Sequence, residues 1–323
     1  MRSFWIKLLV LVMLASPALS KEKKASKAVA KEKEGVEKTA VEPFTPSVKF
    51  NGLLQFSLQA MNNIWDMKVA HARLRATALV DENTTLALMP EMGPTGFVLL
   101  DAYGLRNLGD QCSLQAGQFK PAFGDDRYLT PGQLKRVNYT KMTGFVLPSA
   151  TNAWDMGVEF KKVGEQVTFQ ADVIQGAGPN KSADNDTTKD LAGRLEWKDK
   201  NIALGCSYYG GTSFGMGFIS YQNWLGVHGR YNSEGFDARA EAVWLVNYRS
   251  AYFAQAAYRK GDWEPVAWGE LGFLGTVQNY QLIGGGINYW PAVKTRIQLN
   301  VSLSGVTDFS APALVVLQAE QIF

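Results

Sequence analysis

The sequence predicts an all-β protein, a 16-stranded antiparallel transmembrane β-barrel with an inward-folded third loop. Three observations carry this. From residue 48 onward polar and apolar residues alternate with a period of two over stretches of roughly 9–12 residues, each closed by turn residues. No internal apolar run reaches the roughly 18 residues of a membrane helix, and the mean hydropathy is −0.13, so a helical bundle is excluded. The number of segments is even, and the long connections between them all fall at one end.

The elements follow in order. Strands over 48–60 and 67–80 are followed by the turn Asp81-Glu82-Asn83 and a third strand, 84–92. Gly93 to Gly96 turns the chain into the fourth, 97–106, and Asn107-Leu108-Gly109-Asp110 into the fifth, 111–120. The longest irregular stretch, 125–152, precedes the sixth strand, 153–162. Gly164 marks the turn to the seventh, 166–175. A polar loop, 176–189, leads to the eighth, 191–198, and Asp199-Lys200-Asn201 to the ninth, 202–209. A glycine-rich loop over 210–221 separates it from the tenth, 222–232. The remaining strands are 236–245, 251–259, 263–274, 280–289, 295–303 and 313–323. Connections after even-numbered strands are short turns. The three long ones follow the fifth, seventh and ninth strands. With both termini in the periplasm, the long connections are external.

The alternation also assigns faces. His71, Arg73, Arg75 and Thr77 share one side of the second strand, with Ala72, Leu74 and Ala76 on the other. A charge in mid-bilayer costs about 2–4 kcal/mol on the lipid face, so the basic side faces water. The same argument turns Arg194 and Glu196 inward, then Asp237, Arg239 and Glu241, then Arg296, Gln298 and Asn300. Sixteen strands leave a water-filled lumen unless a loop narrows it. The long stretch carries Asp125, Asp126, Arg127, Lys135, Arg136 and Lys141. Long loops without secondary structure of their own are usually functional, which makes it an eyelet candidate with Lys120 and Arg127 among its charges.

Residues 1–20 pair Arg2 and Lys7 with a short apolar core and the small residues Ser16, Ala18 and Ser20, the pattern of a signal peptide. Residues 21–46 are a Lys/Glu/Ala-rich flexible periplasmic linker. Residues 47–323 form the barrel. Nine of the 33 basic and five of the 30 acidic residues precede position 47, which leaves 24 against 25 in the barrel. A near-neutral domain gives no argument for nucleic acid.

Chemistry of other kinds finds little support in the sequence. His71 and His228 lack an accompanying Ser motif and read as lumen-lining polar residues, so neither a catalytic site nor a metal site is expected, nor an enzymatic activity. Cys112 and Cys206 begin non-neighbouring strands, which argues against a disulfide, and no CxxCH motif attaches haem. No cofactor is expected.

Several segments are similar to one family. HARLRA, LLDAYGL, QAGQFKPAFG, WDMGVEF, GRLEW, NIALGCSYYGG, EPVAW, GGGINYWPAVKTRIQLNVS and the terminal Phe323 follow in an order that resembles the phosphate-selective porin O and P family of Gram-negative outer membranes, over 48–323. The resemblance implies a homotrimeric pore with a narrow zone near its third loop. It also implies lumen-facing basic residues, matched by Arg73, Arg75 and Lys120, beside Asp101. Phe323 resembles the aromatic end read by the barrel-assembly machinery. His71, Trp268 and Gln321 depart from the family pattern. The expected function is therefore an outer-membrane porin embedded in lipid, passing small hydrophilic solutes or anions, phosphate among them. The alternatives are a barrel that sheathes a periplasmic partner such as an electron-transfer protein, and an outer-membrane hydrolase.

Overall fold

The computed structural model describes residues 44–62, 64–93, 96–142, 154–181, 188–215, 218–246, 248–305 and 313–323. The leader and residues 21–43 of the linker lie outside the described residues, as does 143–153 of the long connection. The strands are β1 (Ser47–Met61), β2 (Ile64–Asp81), β3 (Thr84–Gly93), β4 (Gly96–Gly109) and β5 (Cys112–Phe119). They continue with β6 (Asp155–Val163), β7 (Val167–Ile174), β8 (Asp190–Asp199), β9 (Ile202–Gly215), β10 (Phe218–Ser233) and β11 (Phe236–Leu245). The last five are β12 (Arg249–Tyr258), β13 (Trp263–Leu274), β14 (Val277–Ala292), β15 (Thr295–Gly305) and β16 (Leu314–Ile322). Each strand pairs antiparallel with its sequence neighbours, and β16 returns to β1, so the sheet closes.

Closure is fixed at the last residue. The Gly52 N–H donates to the Phe323 carbonyl at 2.9 Å, and the Phe323 N–H donates back to the Gly52 carbonyl at 3.1 Å. A side chain at position 52 would meet the Phe323 ring, since a Cβ there would lie 1.9 Å from Cζ.

Burial alternates as the pattern predicts. In β15, Arg296, Gln298 and Asn300 are buried while Ile297, Leu299 and Val301 are exposed. In a closed sheet the shielded set faces inward, so the inner wall is the polar one. The interior is not polar throughout. Trp224, Phe253, Val266, Trp268 and Leu282 sit on the shielded faces of β10, β12, β13 and β14 and pack with Tyr209 into one apolar cluster.

Two local expectations change. The segment 210–221 is not a loop. β9 and β10 continue as a paired hairpin up to Gly215 opposite Phe218, leaving two long connections among the described residues, after β5 and β7. Gly211 sits in this ladder because a Cβ there would lie 2.2 Å from Asp190 Oδ2. Glycine in a strand marks such a close approach as readily as a turn. The second change concerns β5, which ends at Phe119, so Lys120 stands one residue beyond it. Pairing of β5 with both neighbours stays in register through Gly117, at a φ of +128°. Its missing side chain explains the residue choice, since a Cβ would lie 2.3 Å from the Ala102 carbonyl.

Candidate functional site

Over 120–140 the chain holds one short 3-10 turn, Pro131–Gln133, and otherwise no regular structure; Lys141 and Met142 are helical. Backbone polar groups buried in such a stretch need side-chain partners. The inner wall supplies them. The Ala122 N–H donates to Asp172 Oδ2 (2.6 Å), and the Gly124 N–H to Ser207 Oγ (3.1 Å). Asp125 and Asp126 each donate an N–H to one oxygen of Glu241, both at 2.8 Å. Further along, Val137 N–H donates to Asn300 Oδ1 (2.8 Å) and Lys141 N–H to Glu270 Oε2 (2.7 Å). The carbonyls are met as well. Arg194 donates to Gly124 O, Arg296 Nη1 to Leu134 O (2.6 Å) and Asn288 Nδ2 to Lys135 O (2.8 Å). Phe123 and Met142 bring apolar bulk onto the Trp224–Phe253–Trp268 cluster. Trp268, a departure from the resemblance, thus has a packing role.

The arginines singled out by alternation are nearly all paired with carboxylates. Arg73 Nε donates to Glu91, and Arg75 Nη1 lies 3.1 Å from Asp101 Oδ2. Arg239 Nε bonds Asp237 Oδ1 at 3.2 Å, and Arg296 Nη2 bonds Glu320 Oε2 at 2.8 Å. Arg194 Nη2 reaches Asp125 Oδ1 (3.0 Å) and Glu196 Oε2 (2.5 Å). Paired charges cancel at a distance, so these side chains add little net field. Arg127 differs. It is 5% exposed, and its Nε and Nη1 have no hydrogen-bond partner among the described residues; burial holds its pKa below the ordinary value.

Among the described residues Lys120 also lacks a carboxylate partner. Its Nζ donates to the Arg127 and Leu129 carbonyls, both at 2.8 Å, and stands 4.4 Å from the centre of the Trp154 ring. Burial, then the nearby Arg73 and Arg127 charges, push its pKa down to about 7. Lysine that is charged when unfolded and half-neutral at pH 7 when folded binds fewer protons in the folded state. Docking of this segment is therefore expected to strengthen as pH rises from about 7 towards 10.5. Hydrogen exchange of the segment at pH 7 and pH 9 checks the sign.

Arg75, Asp101 and Lys120 line one cavity of about 270 Å³ on the β2, β4, β5 and β6 side, together with Tyr103, Tyr128, Trp154, Glu159 and Lys161. Arg73 stands behind it, 5.6 Å from the Trp154 ring. Arg127, Arg194, Arg239 and Arg296 do not line this cavity. Glu159 and Lys161 were missed, although alternation along the sixth strand places both on one face. Trp154, expected inside the sixth strand, was not singled out; it stands one residue before β6 and lines the cavity.

A second polar cluster lies on β8 and β10, where Arg194 stands 5.1 Å from the ring of the cavity-lining Tyr128. Asp125, Glu196 and His228 each bring one donor atom within 4.8 Å of the others, a grouping sized for a metal ion. Arg194 Nη2 already fills that space, at 3.1 Å from His228 Nε2 as well, and Arg230 adds a second guanidinium on Glu196. A metal would have to displace both cations. His228, expected as a lumen-lining polar residue, is buried beside carboxylates, 3.1 Å from Glu196 Oε2.

No family model and no curated protein sequence matches the chain. Solved structures do. The anion-selective porin from Comamonas acidovorans superposes with a TM-score of 0.68 at 11% identity, over 86% of this chain and 100% of that one. OmpT, an outer membrane protein of Vibrio cholerae solved in a trimer form, gives 0.65 at 12%, over 87% and 100%. A mutant of the Rh. blastica porin gives 0.61 at 12%, over 86% and 100%. The chain thus shares the 16-stranded barrel of these proteins. The expectation of no enzymatic activity is corrected: OmpT structures match as fully as the porins, and a barrel shared at such identity does not assign the chemistry of its interior.

Proposed function

We propose that the chain is a trimeric outer-membrane porin, a water-filled channel for passive diffusion of small hydrophilic solutes with a weak preference for anions. The observation that carries it is the closed barrel with a polar inner wall against which the 120–142 segment is bonded. That segment is the constriction. Its docking on β7–β15 leaves solutes the β2–β6 side, past Arg75, Lys120 and Lys161.

The outer wall supports a place in lipid. Outward-facing aromatics gather at both ends of the wall, Trp263 against Tyr289 near the short turns and Trp244–Tyr252–Phe273 at the other end. On β13, Phe273 lies ten residues beyond Trp263. At about 3.3 Å per residue and a tilt of about 40°, the two groups stand about 25 Å apart, the height of an outer-membrane apolar band. The trimer form of OmpT supports the oligomer. Phe323, at the seam, is the candidate assembly signal.

Because most arginines are neutralised pairwise, phosphate specificity is the weaker reading, and the anion preference falls to Lys120 and Lys161. In planar bilayers the purified chain is expected to give stepwise ohmic conductance; a protein that inserts and never conducts would defeat the channel. Under a salt gradient the anion preference should decline as pH rises from 6 to 8, since Lys120 loses its proton near 7. Lys120→Gln should lower the preference at pH 6 and flatten that pH dependence.

A further inference from the structure

The cavity beside Lys120 has a composition that simple anion conduction does not require. Its two charge signs are not equally occupied. Arg75 and Asp101 are spent on each other, with Asp101 also accepting the Trp154 indole N–H at 2.7 Å. Lys161 has no hydrogen bond or ion pair among the described residues. Glu159 accepts from Gln170 Nε2 at Oε2 (2.9 Å) and shares a side-chain hydrogen bond with Asp172, its partner in the β6–β7 ladder, while the Lys161 charge acts on it from the same face. Lys161 and Glu159 are two residues apart on one face of β6, about 7 Å along the strand. The wall therefore presents, side by side, an ammonium that makes no hydrogen bond among the described residues and a carboxyl pair, Glu159 with Asp172.

Aromatic and apolar surface adjoins them. Tyr103, Leu105, Phe119, Tyr128 and Trp154 line the same space. Their rings are held in place: Tyr103 Oη accepts from Arg75 (2.6 Å), and Tyr128 Oη accepts from Gln170 (2.7 Å). Fixed aromatic faces bind a flat or branched apolar group at low entropic cost. A bare inorganic anion would gain nothing from these rings and would meet the Glu159–Asp172 carboxyl groups.

We propose that this cavity recognises small zwitterions of amino-acid size with an aromatic or branched side chain, the carboxylate on Lys161, the ammonium on Glu159 and the side chain against Tyr103 and Trp154. The site rests on the channel reading for its role and deepens it by naming a solute class.

The test is block of the ion current through the reconstituted full chain by four probes: phenylalanine, phenylacetate, phenethylamine and inorganic phosphate. Phenylalanine is expected to block saturably, with a half-blocking concentration about tenfold or more below those of the other three, as one lost charge contact predicts. Lys161→Gln should raise that concentration about tenfold. Glu159→Gln should do the same. If the Glu159 variant fails to fold, the Lys161 variant still decides, since its ammonium makes no hydrogen bond or close ion pair among the described residues. Equal block by all four probes, stronger block by phosphate, or an unchanged Lys161→Gln response would overturn the proposal. Should the chain not conduct, calorimetric titration of phenylalanine into the detergent-solubilised protein tests the site separately from the channel.

Discussion

Arg296→Ala is expected to lower the stability of the barrel by about 3–5 kcal/mol, because it strands a buried carboxylate. Arg296 and Glu320 are 1% and 2% exposed. The same guanidinium also donates to the Leu134 carbonyl, and Glu320 accepts a further bond from Gln55. Removing one cation therefore breaks the β15–β16–β1 junction and the anchoring of the 120–142 segment together. The measurement is a urea titration in detergent micelles followed by tryptophan fluorescence. Arg106→Ala is the control. Arg106 and Asp81 are roughly half exposed in their ion pair, and an exposed pair is worth about 1 kcal/mol or less. Equal shifts for the two variants would refute this assignment of a buried pair.

Phe123→Ala is expected to act on current more than on the wall. The ring is 1% exposed and meets Tyr209 edge-on, with centroids 6.0 Å apart. Truncating a buried Phe costs about 3–5 kcal/mol through lost transfer energy and the cavity left behind. That loss falls on the docking of the segment, since residue 123 belongs to no strand of the closed sheet. Single-channel records should show a larger mean conductance and frequent transitions between levels. A quiet channel of unchanged size would mean that the polar anchors at Glu241 and Arg296 suffice alone.

These two residues also mark what could be read from the sequence. Arg296 was placed inward from its neighbours, because Arg-Ile-Gln-Leu-Asn-Val alternates cleanly and one wall of a barrel strand faces lipid. Its partner and its carbonyl contact were not readable, as both lie far along the chain. Phe123 gave no signal at all. The apolar inner residues Phe253 and Trp268 broke the polar-inside rule, and only the arrival of Phe123 and Met142 explains them. Glycine was misleading for a related reason. Gly210 and Gly211 look like a loop by composition, whereas the space they leave is taken by the Tyr208 hydroxyl and the Asp190 carboxylate. Lys120 was recognised through a resemblance; its want of a carboxylate partner is a property of the folded loop.

The junction of Gly52 with Phe323 has a kinetic meaning. Every other ladder joins strands adjacent in sequence, so each can form as soon as its two strands exist. The last ladder joins positions as far apart as Gln55 and Glu320, 265 residues distant. Until the C-terminal strand arrives, β1 waits with one row of backbone donors and acceptors open to any passing strand. Closing so long a loop is slow, and half-closed sheets are the species that aggregate. The final residue therefore works as a latch: its arrival ends the vulnerable period of folding, and its departure would be the first step of unzipping.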